Sequence, residues 1–288
     1  MLYAAHSLRT SDGLILHLHQ QAPSTQSPKA VLHIAHGMFE HGGRFKETMQ
    51  ALANQGFLCR AYDQRGHGRS EGKRGDTPSY TQLLSDIERF FDLGYQAHPD
   101  LPHFLLGHSM GGALVINFAL RKRPPIQGII ASAPWLRLAF APEAWKIHLG
   151  KLIAQIFPAF AQRTNMELSI LTRDPVEIAA YTQDPLMHNQ ITARFFIEAS
   201  RAGDWAMARA GNLRVPIYLY HGTTDYVTSL EASQNFAAAT PQHLIDFEPL
   251  EGAYHDLFHD LDREAIIEKT ARWMEQQLQN SKTYQAQA

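Results

Sequence analysis

The chain has 288 residues, 44% of them hydrophobic and 19% charged, which is ample material for a sizeable core and excludes a disordered chain. Its formal net charge is −2, with no basic stripe or acidic block, so the composition argues against nucleic acid as a partner and suits a neutral or zwitterionic substrate. The single cysteine, Cys59 in the apolar stretch Phe57-Leu58-Cys59, excludes a disulfide framework and Cys-rich metal sites and reads as a buried core thiol.

Met1 to Gly13 contains His6, Arg9 and Asp12 and no apolar run, so no signal peptide is expected. No segment has the roughly 18 consecutive apolar residues of a spanning helix, and a cytoplasmic protein is expected. Leu2 to Leu8 and Leu14 to His19 read as two strands around an Asp12-Gly13 turn. Strand and helix signals then alternate, as in a mostly parallel sheet covered by helices on both faces. Val31 to Ala35 is a buried strand, Phe45, Met49, Leu52 and Ala53 mark a helix face, and Phe57 to Tyr62 is the next strand. Thr77-Pro78 is expected to open a helix as N-cap and first-turn proline, with Tyr80, Leu83, Leu84, Ile87 and Phe91 on one face. His103 to Leu106 and Ile126 to Ala133 are further strands.

From Trp135 to Gly211 no clear strand signal occurs, while Trp145, Leu149, Leu152, Ile153, Ile156 and Phe160 fall at helical spacing. We therefore expect a core of residues 1–135 and 211–288, interrupted by a helical cap at 136–210. The strand rhythm resumes at Val215 to Tyr220, followed by a helix around Leu230 to Ala239, a strand from Leu244 to Phe247 and a helix from Glu264 to Leu278. Only Pro23 to Pro28 and the polar tail after Asn280 read as loose.

Gly107-His108-Ser109-Met110-Gly111, with Gly112 beyond it, lies between the strand ending at Leu106 and the helical run from Ala113. A strand, a tight turn and a helix in that order make a nucleophile elbow, which holds the serine Oγ free above the sheet and needs flanking glycines. Ser109 is the expected nucleophile. Its partners should follow later strands in the order acid, then histidine. Asp225 lies beyond the Val215 strand and His255 beyond the Leu244 strand. His255 would move the Ser109 proton while Asp225 fixes the imidazole. His259 is the rival base, placed one turn further on, and Asp246 the rival acid, placed inside its strand. The oxyanion needs two backbone N–H donors. Met110 supplies one, and Met38, in the glycine-rich loop His36 to Gly43, the other.

Asp63-Gln64-Arg65-Gly66-His67-Gly68-Arg69-Ser70 gathers catalytic residue types, but in so few residues they cannot reach triad geometry, and the stretch reads as a structural turn. His17 and His19 read as alternation on a strand, and with no third clustered ligand neither a metal nor another cofactor is expected. Trp145, Leu149, Ile153, Ile156, Phe157 and Phe160 provide more apolar surface than one helix needs to sit on a core; Leu149, Ile153, Ile156 and Phe157 are expected to line an acyl-chain pocket, and Tyr181 is expected to join the substrate site. An outward-facing remainder would let the cap touch membranes or lipid aggregates transiently.

Together these residues resemble the monoacylglycerol lipases and the bacterial lysophospholipase-like enzymes of the α/β-hydrolase superfamily. The likeness runs from His36-Gly37-x-x-Glu40-His41-x-x-Arg44 through Asp63-x-x-Gly66-His67-Gly68-x-Ser70-Glu71-Gly72, the elbow, Asp184-Pro185-Leu186 and His221-Gly222-x-x-Asp225 to Glu251-Gly252-Ala253-Tyr254-His255. It implies an α/β-hydrolase fold, a twisted sheet of about eight mostly parallel strands with an inserted helical cap. It also implies the triad Ser109, Asp225 and His255, the donors Met38 and Met110, and Glu40 and Arg44 beside a glycerol head group. A second family histidine near that head group falls on Phe258, which is expected to loosen head-group selection. The expected activity is hydrolysis of a single-chain lipid ester, monoacylglycerol or lysophospholipid, through a Ser109 acyl-enzyme. The alternatives are a small-molecule esterase, thioesterase or aminopeptidase with the same triad, or a non-catalytic binding protein of the same fold.

Overall fold

The computed structural model describes residues 3–140, 157 and 159–287. Among the described residues ten strands are present: β1 (Tyr3–Arg9), β2 (Ile15–Gln21), β3 (Ala30–Ala35), β4 (Phe57–Tyr62), β5 (His103–His108), β6 (Gly128–Ser132), β7 (Ala161–Arg163), β8 (Gln190–Thr192), β9 (Ile217–Gly222) and β10 (Ile245–Leu250). Eight form one sheet in the order β1-β2-β4-β3-β5-β6-β9-β10. The hairpin β1–β2 and its junction with β4 are antiparallel, and every other pairing in this sheet is parallel. Strands β3 to β6 are buried along their whole length because helices cover both faces, which is why they read as continuous apolar runs.

The helices of the sheet are α1 (Lys46–Asn54), α2 (Tyr80–Ala97), α3 (Met110–Lys122), α6 (Leu230–Ala239) and α7 (Arg263–Gln287), with α4 (Pro175–Gln183) and α5 (Ala193–Met207) between β6 and β9. Successive residues of β5 face opposite layers: Leu105 packs with α2 and α3, Phe104 and Leu106 with α1 and α7. Phe90 and Phe91 of α2 are each 1% exposed, and burying a side chain of that size stabilises by about 1.5–3 kcal/mol. Cys59 is a buried free thiol in the layer packed with α1 and α7.

Two details differ from the sequence expectation. Helix α2 is capped by Ser79, whose side chain accepts from the Gln82 N–H, and the Thr77 hydroxyl donates to the Ser79 carbonyl. The extended Ser79 backbone, not the proline at 78, sets the entry. In addition, β7 and β8 pair antiparallel inside the stretch expected to be purely helical; three residues each are too short to show a period. Trp145, Leu149, Leu152, Ile153 and Ile156 lie outside the described residues.

The glycine-rich turn after β4 is built as a scaffold. Asp63 Oδ1 accepts from His19 Nε2 (2.7 Å) and the Gly42 N–H (2.9 Å), and its Oδ2 accepts from the Arg69 N–H (2.8 Å). The Ser70 hydroxyl donates to the Asp63 carbonyl, and Arg65 pairs with Asp86 and Asp12. His17 and His19 stack edge to face at 4.7 Å on one side of β2. Among the described residues no helix is long and apolar enough to cross a membrane.

Candidate active site

Ser109 directly follows β5, at the N-cap of α3, with φ 53° and ψ −114°, a conformation that L side chains rarely adopt and that a surrounding structure must hold. Its N–H donates to the Ser132 carbonyl (2.9 Å), and its own carbonyl accepts from Ala113 and Trp135 (3.0 and 2.9 Å). The glycines are obligatory: a Cβ on Gly107 would stand 2.2 Å from the Gly111 carbonyl oxygen, and one on Gly111 would stand 2.1 Å from that of Ala35. Helix α3 thus starts against β3 and β5 with Met110 as its first residue, whose N–H has no acceptor within the helix.

The structure brings the three expected side chains together. His255 Nε2 lies 3.0 Å from Ser109 Oγ, and His255 Nδ1 lies 2.7 Å from Asp225 Oδ2. Asp225 is fixed by the Val227 and Thr228 N–H groups on Oδ1 (2.7 and 3.0 Å) and by the Thr228 hydroxyl on Oδ2 (2.8 Å). Burial pushes the Asp225 carboxyl up, but the His255 charge and hydrogen bonds from His221 and His255 outweigh it and hold the group far below the usual carboxylate range. Burial opposes charge on His255, and Asp225 more than offsets it, so this imidazole titrates above its ordinary 6.5. The rival Asp246 instead accepts from Trp273 Nε1 at 2.7 Å.

The loop after β3 runs beside the elbow, since a Cβ on Gly37 would meet Ser109 Cβ at 3.2 Å. The Met38 N–H is bonded to none of the described residues. His36 fixes the loop base: its Nδ1 donates to the Gly37 carbonyl (2.7 Å) and its Nε2 accepts from the Gln64 N–H (2.8 Å). Glu40 Oε1 accepts from the Gly37 N–H at 2.5 Å. Phe39, directly after Met38, has φ 74°.

Glu40, Arg44 and Tyr181 meet in one buried cluster with Asp256, His259 and Glu177. The Arg44 guanidinium lies 3.7 Å above the Tyr181 ring, 3.0 Å from Glu177 Oε2, and 3.6 and 3.8 Å from Glu40 and Asp256. Asp256 accepts from the Tyr181 hydroxyl (2.6 Å) and His259 Nδ1 (2.8 Å). Glu40 Oε2 is buried without a hydrogen bond, and burial, reinforced by Asp256, pushes this carboxyl up to about 7. Glu40, Asp256 and His259 present ligand-type atoms within 4.8 Å of one another. His259, however, already spends both ring nitrogens on oxygen acceptors, Asp256 Oδ1 and the Arg44 carbonyl (3.0 Å), which requires an imidazolium. That cation and Arg44 meet the carboxylate charges.

Phe258 is not in this wall. The turn after His255 is a 3₁₀ helix, Leu257–His259, in which positions three apart eclipse, so Asp256 and His259 share a side and Phe258 turns into the core against Phe45. Phe258 thus contributes no polar group to this wall. Phe157 is 66% exposed, while Leu149, Ile153 and Ile156 lie outside the described residues. Asp256 and Glu177 escaped sequence reasoning; an acid directly after the candidate histidine was the available signal. Two cavities of about 500 and 810 Å³ lie elsewhere, the larger lined by His103, Gln127 and Lys29 at the opposite ends of the parallel strands.

Comparison with known proteins is consistent with this geometry. The profile of the serine aminopeptidase S33 family matches residues 26–262. The chain is 26% identical over 270 residues to a monoacylglycerol lipase of Mycolicibacterium smegmatis, covering 93% of this chain and 96% of that protein. It is 30% identical over 98% of its length to an abhydrolase domain-containing protein of Dictyostelium discoideum, of which it spans 30%. Among solved structures, the monoacylglycerol lipase of Paleococcus ferrophilus superposes with a TM-score of 0.82 at 28% identity, over 91% of this chain and 99% of that one.

Proposed function

Because the chain belongs to the serine aminopeptidase S33 family of α/β-hydrolases, we propose that Ser109, His255 and Asp225 are its catalytic triad and that it hydrolyses single-chain lipid esters. The observation that carries this reading is the continuous hydrogen-bonded chain from Ser109 Oγ through His255 to Asp225, seated on a strained elbow. Ser109 Oγ attacks the ester carbonyl carbon as His255 Nε2 takes its proton. The Met38 and Met110 N–H groups hold the oxyanion. When the intermediate collapses, the carbon–oxygen bond to the alcohol breaks and the alcohol leaves with the proton from His255. Water then repeats the cycle on the acyl-enzyme and frees the fatty acid.

The lipid part of the reading is supported by likeness to monoacylglycerol lipases over nearly the whole chain. The exposed rings of Phe140, Phe157 and Phe160, within or beside the proposed cap at 136–210, are apolar surface suited to a lipid aggregate or membrane face. Glu40 Oε2, buried beside Arg44 but without a hydrogen bond, is the oxygen available to a hydroxyl of the head group. A cytoplasmic enzyme that meets membranes at their surface fits these features.

Each buried methylene of the acyl chain should contribute up to about 0.8 kcal/mol, about fourfold in kcat/KM, until the pocket is full. The test is turnover of a C2 to C16 ester series and of mono-, di- and triacylglycerols at matched concentration, with Ser109→Ala as control. We expect kcat/KM to climb with chain length, monoacylglycerol to exceed triacylglycerol, and Ser109→Ala to lose several powers of ten. A maximum at C2 would leave a general esterase. Turnover that survives Ser109→Ala would remove the triad.

A further inference from the structure

The loops that carry the candidate catalytic groups are tied from outside by one stretch of chain between β6 and β9. On the histidine side, the Asp256 N–H donates to the Leu171 carbonyl (2.8 Å), the Tyr181 hydroxyl donates to Asp256 Oδ2 (2.6 Å), and the Thr172 hydroxyl donates to the His259 carbonyl (2.8 Å). On the oxyanion side, Arg44 donates to Glu177 (3.0 Å), and His41 Nε2 lies 2.8 Å from Asp184 Oδ2. The His188 N–H donates to the Phe39 carbonyl at 3.1 Å. The two loops are joined to each other where His259 Nε2 donates to the Arg44 carbonyl.

We propose that residues 171–188 form a fixed brace that sets the relative position of His255 and the oxyanion loop, with Tyr181 and Glu177 as its positioning residues. Both loops follow strand ends, where backbone is freest to shift, and catalysis needs its groups held to roughly 0.5 Å. Phe39 has φ 74°, a region that non-glycine residues occupy only when neighbours over-determine them, and the His188 bond supplies such a restraint one residue from the Met38 donor. The ties are also unlike those of an element that must lift to admit substrate: the side chains of Asp256 and Arg44 are 1% and 6% exposed and Tyr181 is buried, and parting them would leave buried charges unpaired. Tyr181 serves both loops, since its ring carries Arg44 and its hydroxyl holds Asp256.

A brace and a substrate wall differ in what they do to a substrate too small to touch them. The measurement is kcat and KM for p-nitrophenyl acetate, together with the rate of Ser109 labelling by a small fluorophosphonate, in Tyr181→Phe and Glu177→Gln. We expect kcat and the labelling rate to fall by about 10- to 100-fold, with KM for long-chain esters unchanged within about twofold. Asp256→Asn combined with Tyr181→Phe should lose far less than the product of the single losses, because both cut one tie. Wild-type acetate turnover and labelling, with the loss confined to long-chain KM, would overturn the proposal and make these residues substrate contacts. If Tyr181→Phe does not fold, Glu177→Gln decides by the same readout. The inference rests on the triad proposed above, and the two fail separately. Failure of the triad appears as acetate hydrolysis surviving Ser109→Ala, and failure of the brace as acetate hydrolysis surviving Tyr181→Phe where Ser109→Ala abolishes it.

Discussion

At the scale of single residues, His255 carries the most testable electrostatics. It must be neutral to take the Ser109 proton, and in the folded protein burial lowers its pKa less than Asp225 raises it. Activity should therefore rise with pH through an apparent pKa above the ordinary 6.5, because only above that pKa is the base free. Asp225→Asn removes the raising charge, so its residual activity should titrate at lower pH as well as fall by about 10⁴-fold. A pH profile of kcat/KM for both proteins decides it; a wild-type limb below 6.5, or one that Asp225→Asn leaves in place, contradicts the assignment. These residues were legible in sequence because each announces itself locally. Ser109 sits among glycines between a strand and a helix, and Asp225 and His255 just beyond strand ends. Asp256 and Glu177 were not, since their meaning lies in partners such as Tyr181 and Arg44, 75 and 133 residues away respectively.

At the scale of elements, strands and helices with a clear period read correctly among the described residues, and errors fell where local signals competed or were too short. Thr77-Pro78 is the signal the sequence expectation rested on, and the extended Ser79 backbone with its bond to Gln82 moves the helix start two residues on. The pair β7–β8 has no period to read, yet it meets the core through Gly75. The Gly75 carbonyl accepts from the Thr192 N–H (2.9 Å), Asp76 binds the Thr192 hydroxyl and Arg194, and a Cβ on Gly75 would stand 1.8 Å from the Gln190 carbonyl oxygen. Gly75 also has φ 64°, so Gly75→Ala combines about 1 kcal/mol of backbone strain with an overpacking cost of about 1–3 kcal/mol. Gly13, at φ 95° with nothing within 4 Å of a Cβ, supplies the comparison because it suffers the backbone strain alone. Thermal unfolding should show Gly75→Ala well below Gly13→Ala in Tm. Equal losses would mean that the contact with β8 contributes nothing.

For the molecule as a whole, the placement of histidines sets a limit on acid stability that no single motif foretold. His36 and His108 hold the oxyanion loop and the elbow, and burial pushes each down to about 3. His33 and His67 are likewise buried and held well below 6.5. A base whose folded pKa is depressed binds fewer protons folded than unfolded, so below pH 6.5 the unfolded chain gains protons that the native state refuses. Each such group then costs about 1.4 kcal/mol per pH unit, or about 2 kcal/mol by pH 5. His255 and His259 work in the opposite sense: their raised pKa values give stability that is fully present below 6.5 and lost as pH rises through the folded pKa. The depressed group is the larger, and a few such costs are comparable to the whole stability of an ordinary domain, about 5–15 kcal/mol. Asp225 and Asp63, held far down by their histidine partners after burial is offset, contribute stability that is present above the ordinary carboxylate pKa and is lost only as pH falls below this window. Tm measured from pH 8 to pH 4.5 should fall steeply below 6.5, with net uptake of more than one proton on unfolding. Replacing His33, which lies in the α2 layer stacked on His103 5.3 Å away and far along β3 from the elbow, by Gln should soften that fall without changing the pH profile of activity. A Tm that stays level down to pH 5 would mean that these imidazoles are solvated enough to charge in place.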